Sequence, residues 1–463
     1  MGDSAAADIF GFLHVDLNSF FASVEQQLHP EYRNRPTGVV PTLADTTSLI
    51  AASYEAKALG IKTGTRVLDA RRICPEIILV HGNHATYAEY SHRIVAAAER
   101  VCPVAHTPSI DEMVCQLLGR EREPARARQI ALQIKQAIRD DVGETLRCSI
   151  GIAPNRYLAK IASDMQKPDG LVGLLPSGLP GSIAHLELRD LPGVGARTEL
   201  RLNAQGIRTM PELLALDRTA MRSLFDSVWG DRVYHWLRGN DTGDDGAPLP
   251  SAVQKSLGHS HVLAPEHRSP EGAWAVAHKL LHKAAMRLRM EKFFSGSLAL
   301  TVKYALSASQ AASLSGSRSG SPSGSRSGFQ PGIQPGNERV KKHLSGLTET
   351  GWGMEARFHP CQDTLSLLEA LQGCWKQAPT DHRHAKPFFV GITLRNLIPE
   401  AEMQGSLFEE PGNRRELSAT MDKLNLKYGH TTLHFAGMLP ARDSAPTRIA
   451  FTQIPVQYGQ EYM

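Results

Sequence analysis

The sequence predicts an α+β protein of several domains, and three observations carry that expectation. Its 463 residues are too many for a single hydrophobic core. Segments of period two stand among segments of helical period, as when strands are crossed by helices. Residues 240–250 (NDTGDDGAPLP) and 307–336 (with SGSRSGSPSGSRSG) are polar, Gly-rich and aperiodic, one a linker between domains and the other a disordered insert. The 41% hydrophobic and 21% charged content is ordinary for globular chains, and a net charge of +4 permits a nucleic-acid partner without requiring one. Six scattered cysteines without CxxC or zinc spacing read as reduced thiols, and no signal peptide or bilayer-length apolar run is present. Composition therefore points to a cytoplasmic protein with no membrane partner.

From residue 11 the chain opens as a strand. Leu13, Val15 and Leu17 alternate with Phe12, His14 and Asp16, and then Phe20, Val24 and Leu28 recur at helical spacing. Asn18 or Ser19 is the expected N-cap. A strand-end carboxylate beside a helix N-terminus suits a hard cation and a phosphate, although an isolated Asp16 reads equally as a cap. Residues 37–51 read as two short strands, and a helix starts at 53–59. Residues 87–101 and 125–142 are helices, the second with Ile130, Ile134 and Ile138 as a core stripe. Residues 146–153 form a strand and 155–165 a helix.

Between these helices, Asp111 and Glu112 head an apolar strand. Strict alternation would send them to opposite faces, so they share a site only if a turn or bulge near Pro108 and Ser109 brings them together. A surface Asp-Glu pair in a hairpin fits the same spacing. Converged with Asp16, however, such acids hold paired magnesium ions for phosphoryl transfer. Further along, Pro192-Gly193-Val194-Gly195 joins two expected helical segments as in a helix-hairpin-helix, where glycines admit a DNA phosphate to the backbone. Then strand, helix, strand recurs twice, over residues 255–305 and 351–394, and the first of these helices carries a basic run.

Four motifs in this order (VDLNSFFASVE, ASYEAKALGI, SIDEM and LAKIASDMQKPDG) resemble those of Y-family translesion DNA polymerases, nearest the DNA polymerase IV (DinB) type, over residues 10–397. The resemblance implies a right-hand polymerase: palm at 8–19 and 84–175, small fingers at 20–83, helix-hairpin-helix thumb at 176–240 and a linker at 241–254. A β-α-β-β-α-β little finger would span 255–400, with a tail at 401–463 beyond the polymerase core. It further implies template-directed synthesis past damaged bases by two-Mg2+ nucleotidyl transfer, on primer-template DNA and deoxynucleoside triphosphates, by a monomer. Asp16, Asp111 and Glu112 would be the catalytic acids and metal ligands, aided by the Leu17 carbonyl. Asn18 stands where the family often has an acid.

By the same resemblance Phe20, Phe21, Tyr54, Lys57 and Lys167 would contact the nucleotide, with Phe21 as the sugar gate. Lys57 stands where Arg is usual, keeping the charge but losing a bidentate grip on phosphate. Lys160 reads as a surface or DNA-backbone lysine. Gly193, Gly195, Lys283, Arg287 and Arg289 would meet DNA, the last three from a basic face that also carries Lys279. Gln404, Leu407 and Phe408 resemble the peptide that docks bacterial polymerases on the sliding clamp, and the tail beyond resembles that of UmuC-type relatives. Two rival readings are a non-catalytic relative that binds DNA and clamp, and a helix-hairpin-helix nuclease with an unrelated catalytic half. The three acids oppose the first; Tyr54, Lys57 and Lys167 in matching places oppose the second.

Overall fold

The computed structural model describes residues 8–41, 43, 45, 47–243, 255–306, 333–335, 341–342, 348–378, 386–403, 413–429, 432–442 and 444. Most of the insert and the linker, and the peptide containing Gln404, Leu407 and Phe408, lie outside the described residues. The chain divides into two compact units, principally residues 1–249 and 250–447.

In the first unit, β1 (Phe12–Leu17) lies at the centre of a five-stranded sheet. Its neighbours are β6 (Glu112–Gln116) and β7 (Cys148–Ala153), both antiparallel to it, with β5 (Val104–Ser109) and β8 (Leu171–Gly173) at the edges. Every residue of β1 is buried, so its alternation separates two covered faces rather than core from solvent. Leu13, Val15 and Leu17 enter one core with α4 (His84–Glu99) and α5 (Pro124–Asp141), where Ile130, Ile134 and Ile138 form the expected stripe. Phe12 joins a second core with α6 (Arg156–Met165). That helix lies directly on β7. A Cβ at Gly151 would stand 2.0 Å from the Ala159 carbonyl oxygen, so only glycine permits this approach.

The smaller sheet of this unit places β2 (Thr37–Val40) between antiparallel β3 (Ala51–Ala52) and parallel β4 (Ile78–His81). The helices α2 (Tyr54–Ala58) and α3 (Val67–Ile73) close its core around Val40, Leu49, Ile61 and Val67. Beyond the palm-like sheet come α7 (Ala196–Ala204), α8 (Met210–Leu214), α9 (Arg218–Phe225) and α10 (Val228–Trp236). The first arm of the expected helix-hairpin-helix is only a 3-10 turn, Leu188–Asp190. Gly193 has φ +90° and a Trp229 ring atom 3.0 Å from where a Cβ would stand, while Gly195 caps α7 facing open space. Gly193 is thus demanded by the turn itself.

The second unit is a wholly antiparallel sheet in the order β11 (Ile333–Pro335), β13 (Thr348–Cys361), β10 (Phe293–Leu306), β14 (Lys386–Pro399), β9 (Ser256–Val262), with β12 (Lys341–Lys342) pairing β13. Helices α11 (Pro270–Met290) and α12 (Thr364–Lys376) bury Leu280, Leu288, Leu367 and Leu371 with the sheet's Leu298, Leu300, Ile392 and Leu394. The described part of the tail packs onto this core. Helix α13 (Arg414–Tyr428) and the 3-10 turn Ala436–Ala441 pack onto it, burying Met438 and Ala441, and the Thr364 N–H donates to Ser418 Oγ at 3.0 Å.

This packing takes Lys279 and Arg289 out of the expected basic face of α11. Lys279 is buried and donates to the carbonyl oxygens of Arg442 and Ser444. Arg289 donates from Nε and Nη2 to the two oxygens of Asp422, at 2.6 and 2.8 Å, and from Nη1 to the Gln362 carbonyl and the Thr364 hydroxyl. Four of its five N–H donors are so occupied and the side chain is only 10% exposed, which turns this guanidinium inward rather than toward a DNA phosphate. Arg287 pairs with Glu291 at 2.6 Å. No helix among the described residues is long and apolar enough to cross a membrane.

Candidate active site

Two tight pieces of backbone bring the acids together. β5 and β6 form a hairpin that pairs Ser109 with Glu112 around a two-residue turn, Ile110-Asp111, after register irregularities between Val104 and Ser109. The expected bulge is therefore present, and Glu112 faces the same side as Asp16, its direct partner across β1 and β6. Asp111 sits in the turn. Its carbonyl accepts from the Leu17 N–H at 2.9 Å, and its side chain accepts from Ser109 Oγ at 2.5 Å. The same Ser109 hydroxyl lies 3.1 Å from Glu112 Oε2.

Like charges directly opposite one another repel, and here lysines offset that repulsion. Lys160 Nζ lies 2.5 Å from Asp16 Oδ2 and 2.6 Å from Glu112 Oε1. Lys167 Nζ takes the other Asp16 oxygen at 2.6 Å, and both lysines also reach Asp164. Helix periodicity in α6 explains it: Lys160 and Asp164 are four residues apart on one face, and Lys167 follows where the helix ends. Lys160 is therefore no surface lysine but a member of the acid cluster. Its spacing to Asp164 and Lys167 was a readable signal; its facing Asp16, 144 residues away, was not.

Burial opposes charge on Glu112, but His14 and Lys160 outweigh it and hold the carboxyl well below its ordinary range. Asp111 moves the other way, pushed up by burial despite the Ser109 hydroxyl, with Asp16 and Glu112 adding to the rise. Burial would neutralise Lys160 and Lys167, yet Asp16 and its neighbours raise both. Among the described residues, one set of three can hold a metal ion: His14, Asp16 and Glu112, whose ligand atoms lie within 4.8 Å of one another. Its donors are oxygen and nitrogen, which suits a divalent cation. Asp111 is not in that set, and sequence reasoning passed over His14.

Helix α1 (Phe20–Leu28) opens beside this cluster from a left-handed Ser19, φ 51°. Neither expected cap is made. Asn18 spends its side chain on Ser149 Oγ and the Asp169 N–H, and Ser19 Oγ accepts from Lys57 Nζ at 2.7 Å. That contact ties α2 to the cluster. Lys57 Nζ also stands 4.4 Å above the Tyr54 ring, and burial followed by Lys167 lowers its pKa. Tyr54 is raised by burial, with Lys167 opposing and Asp16 adding. Phe20 and Phe21 are buried; Phe21 stacks on Tyr87 with centroids 4.3 Å apart, and Tyr87 anchors by donating to Glu25 at 2.6 Å. A depression of about 420 Å³ borders Lys160 and Asp164, with residues 189–195 as its other wall.

The fold belongs to a known class. A Y-family DNA polymerase chimera superposes with a TM-score of 0.64, covering 84% of this chain and 99% of its own at 20% identity, a likeness of fold. The sequence matches the impB/mucB/samB family over residues 15–164, that family's C-terminal domain over 254–407, and the DNA polymerase-iota thumb domain over 189–241. It is 31% identical to DNA polymerase IV of Moorella thermoacetica, across 92% of this chain and 95% of that one. The corresponding protein of Pelotomaculum thermopropionicum is 28% identical over 93% and 96%. The chain belongs to the DNA polymerase IV (DinB) group of the Y family, DNA-directed DNA polymerases of the translesion kind.

Proposed function

We propose that the chain extends primers on damaged template DNA with its metal site built by Asp16, Asp111, Glu112 and the Leu17 carbonyl. The convergence of Asp16 and Glu112 across β1 and β6, with Asp111 in the adjoining turn, carries this reading. Two magnesium ions bound there would supply Lewis acidity to the primer hydroxyl and neutralise charge on the triphosphate. The primer oxygen attacks the α-phosphorus, its proton passes to solvent water, and the bond to the bridging oxygen breaks to release pyrophosphate. Lys167 and Lys57 balance the charge of the phosphates, and the Tyr54 hydroxyl donates to one of them. Lys160 offsets the negative charge of the acids. Phe21, wedged on Tyr87, leaves no room beneath the sugar for a 2′-hydroxyl. Primer extension with magnesium tests the assignment: Asp111→Ala, which keeps every lysine, should abolish it, and substantial extension would refute it.

Gly193, Gly195, Lys283 and Arg287 are proposed to approach DNA, with a monomer as the working form and sites bounded as the sequence predicts. Lys283 and Arg287 lie near enough to His259 of β9 to help depress its pKa, so they stand toward that edge strand. Gln404, Leu407 and Phe408 are proposed to dock on the sliding clamp, so that the tethered enzyme meets the primer end at a roughly millimolar effective concentration. Replacing Leu407 and Phe408 by Ala should spare extension without clamp and remove its stimulation; stimulation equal to the parent's would place the contact elsewhere.

A further inference from the structure

We infer that Tyr157 is a positioning residue for the primer-template duplex: through the Pro192 carbonyl, its hydroxyl sets where the turn at 192–195 stands relative to Lys160 and Asp164 on the same helix. The inference rests on the reading that Gly193 and Gly195 approach a DNA phosphate, and it names what fixes their place. Tyr157 lies buried in the first turn of α6, and its Oη donates to the Pro192 oxygen at 3.0 Å. Its ring stacks on Trp236 of α10 with centroids 5.0 Å apart and meets Trp229 edge to face at 6.5 Å. Trp229 in turn packs on Phe225 and puts a ring atom 3.0 Å from where a Gly193 Cβ would stand. One side chain thus holds the turn twice, at residue 192 by its hydroxyl and at Gly193 by an indole that leans on its ring. Asn155, the N-cap of α6, fastens the same joint: it accepts from the Leu158 N–H at 2.9 Å and donates to the Trp236 and Asn240 carbonyls at 2.9 and 3.1 Å.

What this turn offers to DNA makes its support matter. Lys160 and Asp164 form one wall of the depression of about 420 Å³, and residues 189–195 form the other. Both walls therefore refer to α6, one through its own side chains and the other through Tyr157. A lysine follows a displaced phosphate by changing rotamer, but a backbone amide has no such freedom. Hydrogen bonds weaken steeply as distance and angle degrade, so a turn that grips phosphate by its backbone is only as well placed as its support. Burial pushes the Tyr157 pKa up, which keeps the proton on the hydroxyl and the donor in place. Phenylalanine at this position would keep the ring contacts and leave the Pro192 carbonyl without that donor.

The test uses the full chain, a fluorescent primer-template duplex read by anisotropy, and extension kinetics on the same preparations. Tyr157→Phe should raise the Kd for the duplex about fivefold, the net worth of one hydrogen bond. At saturating DNA its KM for the incoming deoxynucleotide should stay within about twofold of the parent's, which a general loosening of the fold would not allow. Gly195→Asp supplies the second arm. Gly195 caps α7 with φ −90° and open space around it, so an aspartate fits and caps well there while its carboxylate repels a phosphate. This variant should also weaken binding, and in its background Tyr157→Phe should add less than about twofold, because the amides it positions no longer grip. An unchanged Kd in Tyr157→Phe, a nucleotide KM that rises with it, or a full additive loss in the double variant overturns the inference. Gly195→Asp binding as tightly as the parent removes the phosphate reading beneath it; weakened Gly195→Asp beside an unaffected Tyr157→Phe removes the positioning role alone.

Discussion

Asp16 carries two ammonium groups on its two oxygens, and this decides what its removal does. Replacing any of Asp16, Asp111 or Glu112 by Ala should abolish extension, but the stability effects should differ in sign. Asp16→Ala leaves Lys160 and Lys167 partly buried and short of a counter-charge, and should cost on the order of 2 kcal/mol. Asp111 is pushed up by burial, so Asp111→Ala removes an unfavourable charge and should hold or raise the melting temperature. Thermal melts without added metal would show both; a stabilised Asp16→Ala protein contradicts the pairing. Sugar selection should likewise depend on a pair. Phe21→Ala should admit ribonucleotides, and Tyr87→Ala, which removes the plate behind the ring, should do so more weakly. An unchanged ratio of ribonucleotide to deoxynucleotide incorporation in Phe21→Ala would refute the gate.

Helix α13 turns Arg289 of α11 from an expected DNA contact into an internal one. Arg289 is 10% exposed and Asp422 16%, so removing either partner strands a charge away from water. Asp422→Ala should cost about 3 kcal/mol, seen as a lower denaturant midpoint for the second unit. Asp422→Asn, which still accepts from the guanidinium, should recover part of it. If both variants unfold with the parent, the tail is not part of this core. At the other end of the chain, the hairpin of β5 and β6 does comparable positional work, since its two-residue turn places Glu112 opposite Asp16.

Taken whole, the chain comprises two compact units with separate cores, and acid should strike the second through its histidines. Burial, with His278 and Arg289 adding, lowers His282 to about 3, and burial with Lys283 lowers His259 to about 4. Because the folded values lie below the unfolded value near 6.5, the unfolded chain binds protons that the native one refuses as pH falls beneath that value. Stability of this unit should therefore rise with pH between about 4 and 6.5 and level off above. His282→Leu should flatten the slope. A slope identical to the parent's would show that His282 does not contribute.

What the sequence determined by itself was everything that local period and motif encode. The α5 stripe, the β1-to-α1 change of period and the doubled β-α-β of the second unit were all legible, because each depends on neighbours within a few turns or strands. Short strands such as β4 carry too little pattern to read, and the first arm of the hairpin at 188–190 is one turn where a helix was expected. Only tertiary structure decided that His14 joins Asp16 and Glu112, since nothing in β1 shows that its second face is covered by α6. The same holds for Lys160, whose partners lie 144 residues away in one case and 48 in the other, and for Arg289, which meets Asp422 across 133 residues. A charged side chain is read from sequence as solvated because solvation is its default; whether it is paired instead depends on which distant segment folds over it.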